Sequence, residues 1–197
     1  MQDVKLDFLK ELANIGTGHA TTALSQMLSG RLFQLVVPEA QMLPFSEAAV
    51  YIGGPEQVVV GIFVVVSGDV KGHMAFLIPL DSALVLVRLL TGDESGEINE
   101  MAHSALQELG NIMITSYLNA LSKMTHLLMA PSVPGVAIDM AGAVWESVLA
   151  GAEVKNEVTV IRTEFFADGE AIEGNIIFLP DDEDFRKIAR LLGLEEM

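Results

Sequence analysis

At 197 residues the chain can bury a sizeable core, and the absence of cysteine excludes disulfide and thiolate chemistry. A formal net charge of −16 repels phosphate, which speaks against nucleic acid and anionic membranes as partners and leaves solubility or a basic protein partner as its use. Hydrophobic residues make up 51% of the chain, yet its strongest apolar run, Val58 to Val66, has strand length and falls far short of a membrane span.

The first four residues, Met1-Gln2-Asp3-Val4, carry neither the basic nor the apolar part of a signal peptide, so a cytoplasmic location is expected. A first helix is expected from near Val4 to near Ser29, with Asp3 capping its start and Gly30 ending it. Arg31–Val37 reads as a strand closed by Pro38, followed by a short strand at Ala40–Leu43 and a helical turn at Ser46–Ile52. After the turn signal Gly53-Gly54-Pro55, strands Gln57–Val66 and Lys71–Ile78 form a hairpin around Ser67-Gly68-Asp69. Ser82–Leu90 is a short helix, and the acidic run Asp93–Glu97 marks the boundary between two halves.

The second half replays the first. A helix is expected over Glu100–Thr125, then an extended stretch broken by Pro131 and Pro134, a strand at Val136–Asp139 and a helix at Ala141–Leu149. Glu157–Phe166 and Ala171–Leu179 form a second hairpin, and Phe76-Leu77-Ile78-Pro79 is echoed by Phe178-Leu179-Pro180. Each hairpin is followed by a helix ending in Leu-Leu and a glycine, Gly92 or Gly193. The fold expected is α+β: one internally duplicated domain, its repeats spanning about 1–92 and 98–197, with two long pseudo-symmetric helices on a mainly antiparallel sheet.

The two long helices share a motif. Asp7-Phe8-Leu9-Lys10-Glu11-Leu12-Ala13-Asn14 reads D/S-x-x-x-E-x-x-N, and so does Ser104-Ala105-Leu106-Gln107-Glu108-Leu109-Gly110-Asn111 at an offset of 97 residues. Taking Asp7 as zero, about 100° per residue puts Glu11 at about 40° and Asn14 at about 340°, opposite an apolar stripe that includes Leu9, Leu12, Ala13, Gly16, Ala20, Leu24 and Met27. The second copy turns Ser104, Glu108, Asn111, Thr115 and Ser122 outward. A solvated helix face would explain one copy. Repeating an exposed Asn, a poor helix former, in the same register indicates that the amide has a task.

Other constellations carry little. Gly16-Thr17-Gly18 lacks the Lys of a phosphate loop and follows helix instead of strand, so close helix packing explains it better. Glu100-Met101-Ala102-His103 is a lone Glu-x-x-His, and His19, His73 and His126 have no zinc spacing. Ser104 has no positioned base. A carboxylate and a carboxamide on a convex helix form no pocket, but they can enter a partner's pocket, where the Asn holds a water and the Glu pairs with a cation.

At these residues the chain resembles the CheC, CheX and FliY group of chemotaxis phosphatases, most closely CheC, which carries two such motifs; Asn14-Ile15-Gly16-Thr17-Gly18 matches the run that follows the motif. His19 departs from the Asn common in this group. The resemblance implies hydrolysis of the aspartyl phosphate on a CheY-type response regulator of two-component signalling. It implies that Asn14 and Asn111 orient the attacking water, that Glu11 and Glu108 contact the regulator's active-site Lys, and that Asp7 and Ser104 support the edge of the contact. No cofactor of the chain's own is implied; Mg²⁺ belongs to the regulator. The receptor deamidase CheD is a second partner the resemblance implies. The rival expectation is a non-catalytic binding or scaffold protein of the FliM type, against which the paired Glu and Asn weigh.

Overall fold

The computed structural model describes residues 2–27, 33–149, 157–167 and 169–193, leaving out the side chains of residues 2–10 and of a few others within helices and strands. Those residues hold six helices, α1 (Gln2–Met27), α2 (Phe45–Tyr51), α3 (Leu80–Thr91), α4 (Glu100–Thr125), α5 (Ala141–Leu149) and α6 (Asp182–Leu191), and seven strands. The strands are β1 (Phe33–Pro44), β2 (Val58–Gly68), β3 (Gly72–Pro79), β4 (Met129–Pro131), β5 (Gly135–Met140), β6 (Glu157–Ala167) and β7 (Glu170–Pro180). All pairings are antiparallel, in the order β1-β6-β7-β3-β2-β4, with β5 also on β2.

Period-two alternation along the strands divides the core into two layers. Val60, Ile62, Val64 and Val66 of β2 and Met74, Phe76 and Ile78 of β3 enter one cluster with Leu12, Leu24, Leu106, Leu109, Tyr117 and Leu121 from α1 and α4. Leu86 and Val87 of α3 and Ile188 of α6 complete it. On the opposite face Val59, Ala75, Leu77, Val160, Ile177 and Leu179 pack under α2 and α5, with Val144 and Trp145 as the main contributions of α5. Fully buried leucines in the first cluster contribute about 1.5–3 kcal/mol each.

The strands of the two halves are exchanged. The hairpins β2–β3 and β6–β7 meet at the centre, where Phe76 faces Ile176 and Ala75 faces Ile177. Yet β1, which follows α1, pairs with β6 of the second half, while β4 and β5, which follow α4, pair with β2 of the first.

Several local expectations are corrected. β1 is continuous through Pro38, because a register shift between Val36 and Glu39 places the proline at a bulge on an edge strand, where a missing N–H costs no ladder bond. β2 runs on to Gly68, so the turn to β3 is Asp69-Val70-Lys71; Gly68 has φ 114, and a Cβ there would strike the carbonyl oxygen of Leu128. Asp3 lies inside the first turn of α1, which begins at Gln2, and Gly30 falls outside the described residues.

The acidic linker is tied to the start of α4. The Asn99 carboxamide oxygen accepts from the Ala102 N–H at 3.0 Å as N-cap, and its Nδ2 donates to Asp93 at 2.8 Å. Ser95 N–H donates to the other Asp93 oxygen, and this bond holds the carboxyl below the usual carboxylate range. At the far end His126 takes the left-handed conformation, with φ 59, and returns its N–H to Ser122.

Candidate active site on paired helix faces

α1 and α4 lie in the same layer and pack on one another. The contact is close because Gly16 has no side chain. A Cβ at Gly16 would come within 2.7 Å of the Tyr117 ring, and the Tyr117 hydroxyl meets Thr17 Oγ1 at 3.3 Å. Burial pushes the Tyr117 hydroxyl up to about 12, with the Thr17 bond pulling the other way. Gly110 does the same toward the sheet, where a Cβ would stand 2.4 Å from Ile62 Cγ2. Of the two glycines in the Gly16-Thr17-Gly18 run, packing explains Gly16 alone. Gly18 is exposed, and a Cβ there would meet nothing within 4 Å.

With their apolar stripes against the sheet, the two helices turn the shared motif outward. Glu11 and Asn14 are exposed, while Leu12, Ala13, Gly16, Ala20 and Leu24 are buried. Ser104 and Glu108 are exposed and Asn111 is half-buried, with Leu106, Leu109, Met113 and Tyr117 inward. Asp7 lies on α1 one turn before Glu11, but its side chain is outside the described set. The five described motif side chains therefore form two sets, Glu11 and Asn14 on α1 and Ser104, Glu108 and Asn111 on α4.

The two sets differ in their surroundings. Beside the second, Gln107 Nε2 donates to the Pro134 carbonyl at 2.6 Å and ties the segment before β5 to α4. Thr115 Oγ1 approaches Asn111 Oδ1 at 3.5 Å, whereas Asn14 has no side-chain hydrogen bond among the described residues. Thr21 on α1 is half-buried, but its counterpart Leu118 on α4 is fully buried. Sequence reasoning missed the Gln107 and Thr115 contacts; the Thr–Asn spacing of four residues was the available signal for the latter.

A pocket of about 310 Å³ between Phe63, Val65, His73, Ser132, Gly135 and Ser147 is lined by none of the motif residues. Among the described residues no three His, Asp or Glu side chains converge as a metal site, and no helix is long and apolar enough to cross a membrane. The chemistry on offer is thus a pair of Glu/Asn faces on helix surfaces, with the pocket lined by other residues.

An α+β fold carrying a D/S-x-x-x-E-x-x-N face on each of two packed helices is the arrangement that the sequence likeness to chemotaxis phosphatases implied. The pattern of the CheC-like family matches residues 4–38 and 101–138, the two segments that hold α1 and α4. A relative named CheY-P phosphatase CheC, from Bacillus subtilis (strain 168), is 36% identical over 98% of this chain and 96% of its own. The protein belongs to the CheC-like family. Among solved structures, FliY of Thermotoga maritima shares the fold with a TM-score of 0.76 at 20% identity, covering 97% of this chain and 96% of that one. A CheX–CheY–BeF3–Mg²⁺ complex from Borrelia burgdorferi matches with a TM-score of 0.50 at 16% identity, over 86% of this chain and 97% of that one.

Proposed function

We propose that the protein is a phosphatase that hydrolyses the aspartyl phosphate of a CheY-type chemotaxis response regulator. The observation that carries it is the Glu/Asn pair presented twice on outward helix faces, in a chain 36% identical to a relative named as a CheY-P phosphatase. The fold neighbour whose complex holds CheY with BeF3 and Mg²⁺ supports the same kind of partner.

In the reaction each helix face enters the regulator's phosphorylation site. Asn14 or Asn111 holds a water through its carboxamide, which can donate and accept at once, and aligns it behind the phosphorus. Glu11 or Glu108 pairs with the regulator's active-site Lys and fixes the docking. Asp7 and Ser104 support the edge of the contact. The regulator's own Mg²⁺ neutralises the transferring phosphoryl group, so no cofactor of this chain takes part. Water's oxygen bonds to phosphorus, the acyl oxygen leaves as the restored Asp carboxylate, and inorganic phosphate is released. An acyl phosphate is already labile, and a hundredfold acceleration needs only about 2.7 kcal/mol, within the reach of one positioned water.

The test is phosphate release from a phosphorylated regulator by the unmodified protein, Asn14→Ala, Asn111→Ala and the double variant. Each single change is expected to lower the rate and the double change to abolish acceleration. A double variant as fast as the unmodified protein refutes the water-orienting role. Regulator binding without any change in phosphate lifetime would favour the FliM-type scaffold instead. A cytoplasmic location accompanies the proposed substrate, and a CheD-type deamidase is the second proposed partner, testable by co-purification.

A further inference from the structure

Five hydroxyls on the helices of this protein bond back to their own backbone, and Thr115 takes a different acceptor. Thr22, Thr91, Ser116, Thr125 and Ser147 each donate to the backbone carbonyl four residues earlier, at 2.7–3.0 Å. Thr115 has the same option on Asn111 but turns its hydroxyl to the Asn111 side-chain oxygen, at 3.5 Å. That distance is long for an O–H···O bond, so the contact steers the amide more than it binds it. Steering matters because the terminal torsion of Asn is broad and its two ends differ only in oxygen and nitrogen. Among the described residues the Asn111 carboxamide makes no other hydrogen bond, which leaves its N–H donors for a water.

In α1 the residue at the same offset from Asn14 is Gly18, which offers no hydroxyl. A Cβ there would meet nothing within 4 Å, so the gap in front of Asn14 is open.

We propose that Thr115 is a positioning residue that pre-orients the Asn111 carboxamide, and that Gly18 leaves the first site without this device. The proposal rests on the water-orienting role given to the two asparagines. Its structural part has its own readout: NMR relaxation of the Asn side-chain amides. The Asn111 amide is expected to be more ordered than the Asn14 amide and to loosen in Thr115→Val; equal mobility of the two amides overturns the proposal whatever the activity.

Turnover supplies the functional part. With the first site silenced by Asn14→Ala, Thr115→Val should lower kcat roughly two- to fivefold, the lower part of what a neutral hydrogen bond supplies, and leave KM in place. Thr115→Ser should restore it. With the second site silenced by Asn111→Ala, Gly18→Thr should raise kcat by a similar factor and Gly18→Val should not, which separates the hydroxyl from the helix-propensity gain. Unchanged kcat in Thr115→Val, or equal gains from Thr and Val at position 18, overturns it. A double Asn→Ala variant that still accelerates hydrolysis, alongside an ordered Asn111 amide, removes the water-orienting role and leaves the positioning intact.

Discussion

Gly110, the residue immediately before Asn111, offers a measure of how firmly α4 is seated. A Cβ at this position would lie 2.4 Å from Ile62 Cγ2, 2.6 Å from Cδ1 and 2.9 Å from Cβ. The first two atoms can swing away by a rotamer change, but the Ile62 Cβ is fixed to β2. Carbon atoms rest at about 3.5–4.0 Å, so Gly110→Ala must push α4 from the sheet by about 0.6–1 Å. Overpacking of this kind costs about 1–3 kcal/mol, partly offset by about 1 kcal/mol of helix propensity. Gly18→Ala supplies the control, since it makes the same propensity gain in open space. Subtracting one variant from the other cancels propensity and leaves the packing cost. Thermal unfolding should show Gly18→Ala raised by about 2–4 °C and Gly110→Ala at or below the unmodified protein. If Asn111 acts as proposed, the Gly110 variant should also lose turnover in the Asn14→Ala background, because a shift of about 1 Å is enough to spoil the alignment of a held water. Equal upward shifts in Tm for the two variants would refute the packing geometry.

Further outcomes are open to measurement. Gly16→Ala should destabilise by about 1–3 kcal/mol through the Tyr117 ring, and Tyr117→Ala in the same chain should relieve part of that cost, a coupling that a double-mutant cycle reads. Tyr117 should make stability fall between pH 10 and pH 12. In that window the unfolded hydroxyl, with its ordinary value near 10, has lost its proton and the buried one, raised to about 12, keeps it. The loss should reach about 2–3 kcal/mol and be flatter in Tyr117→Phe, followed by denaturant titration at each pH. The Arg88–Glu170 pair, at 3.0 Å but nearly half exposed, should contribute less than about 1 kcal/mol, and Arg88→Ala should leave Tm almost unchanged.

What the chain displays openly is periodicity. The outward set Glu11, Asn14, Glu108 and Asn111 and the inward set Leu12, Leu24, Leu106 and Leu109 follow from 3.6-residue spacing alone, and α4 and α5 begin and end where their patterns do. Boundaries set by tertiary context were less visible. Pro38 reads as a strand breaker, yet an edge strand with a bulge tolerates it. Partnership was least visible of all, since a repeat shows that two strands are alike without showing which hairpin each will join. At the site, residue types and register were legible, but the hydroxyl of Thr115 had two acceptors within reach on Asn111 and only the folded helix shows which it takes.

The exchange of β1 with β4 and β5 has a consequence for how such a chain could arise. A half standing alone would have its first strand unpaired and the outer edge of its own hairpin bare, two sticky defects of complementary shape. Two copies of that half would cure each other by reciprocal donation. Joining the copies through the short segment after Gly92 turns a concentration-dependent meeting into an intramolecular one, with an effective concentration on the order of millimolar. Once joined, the copies would no longer have to stay identical, and each helix could drift toward its own task while the exchanged strands keep the sheet whole.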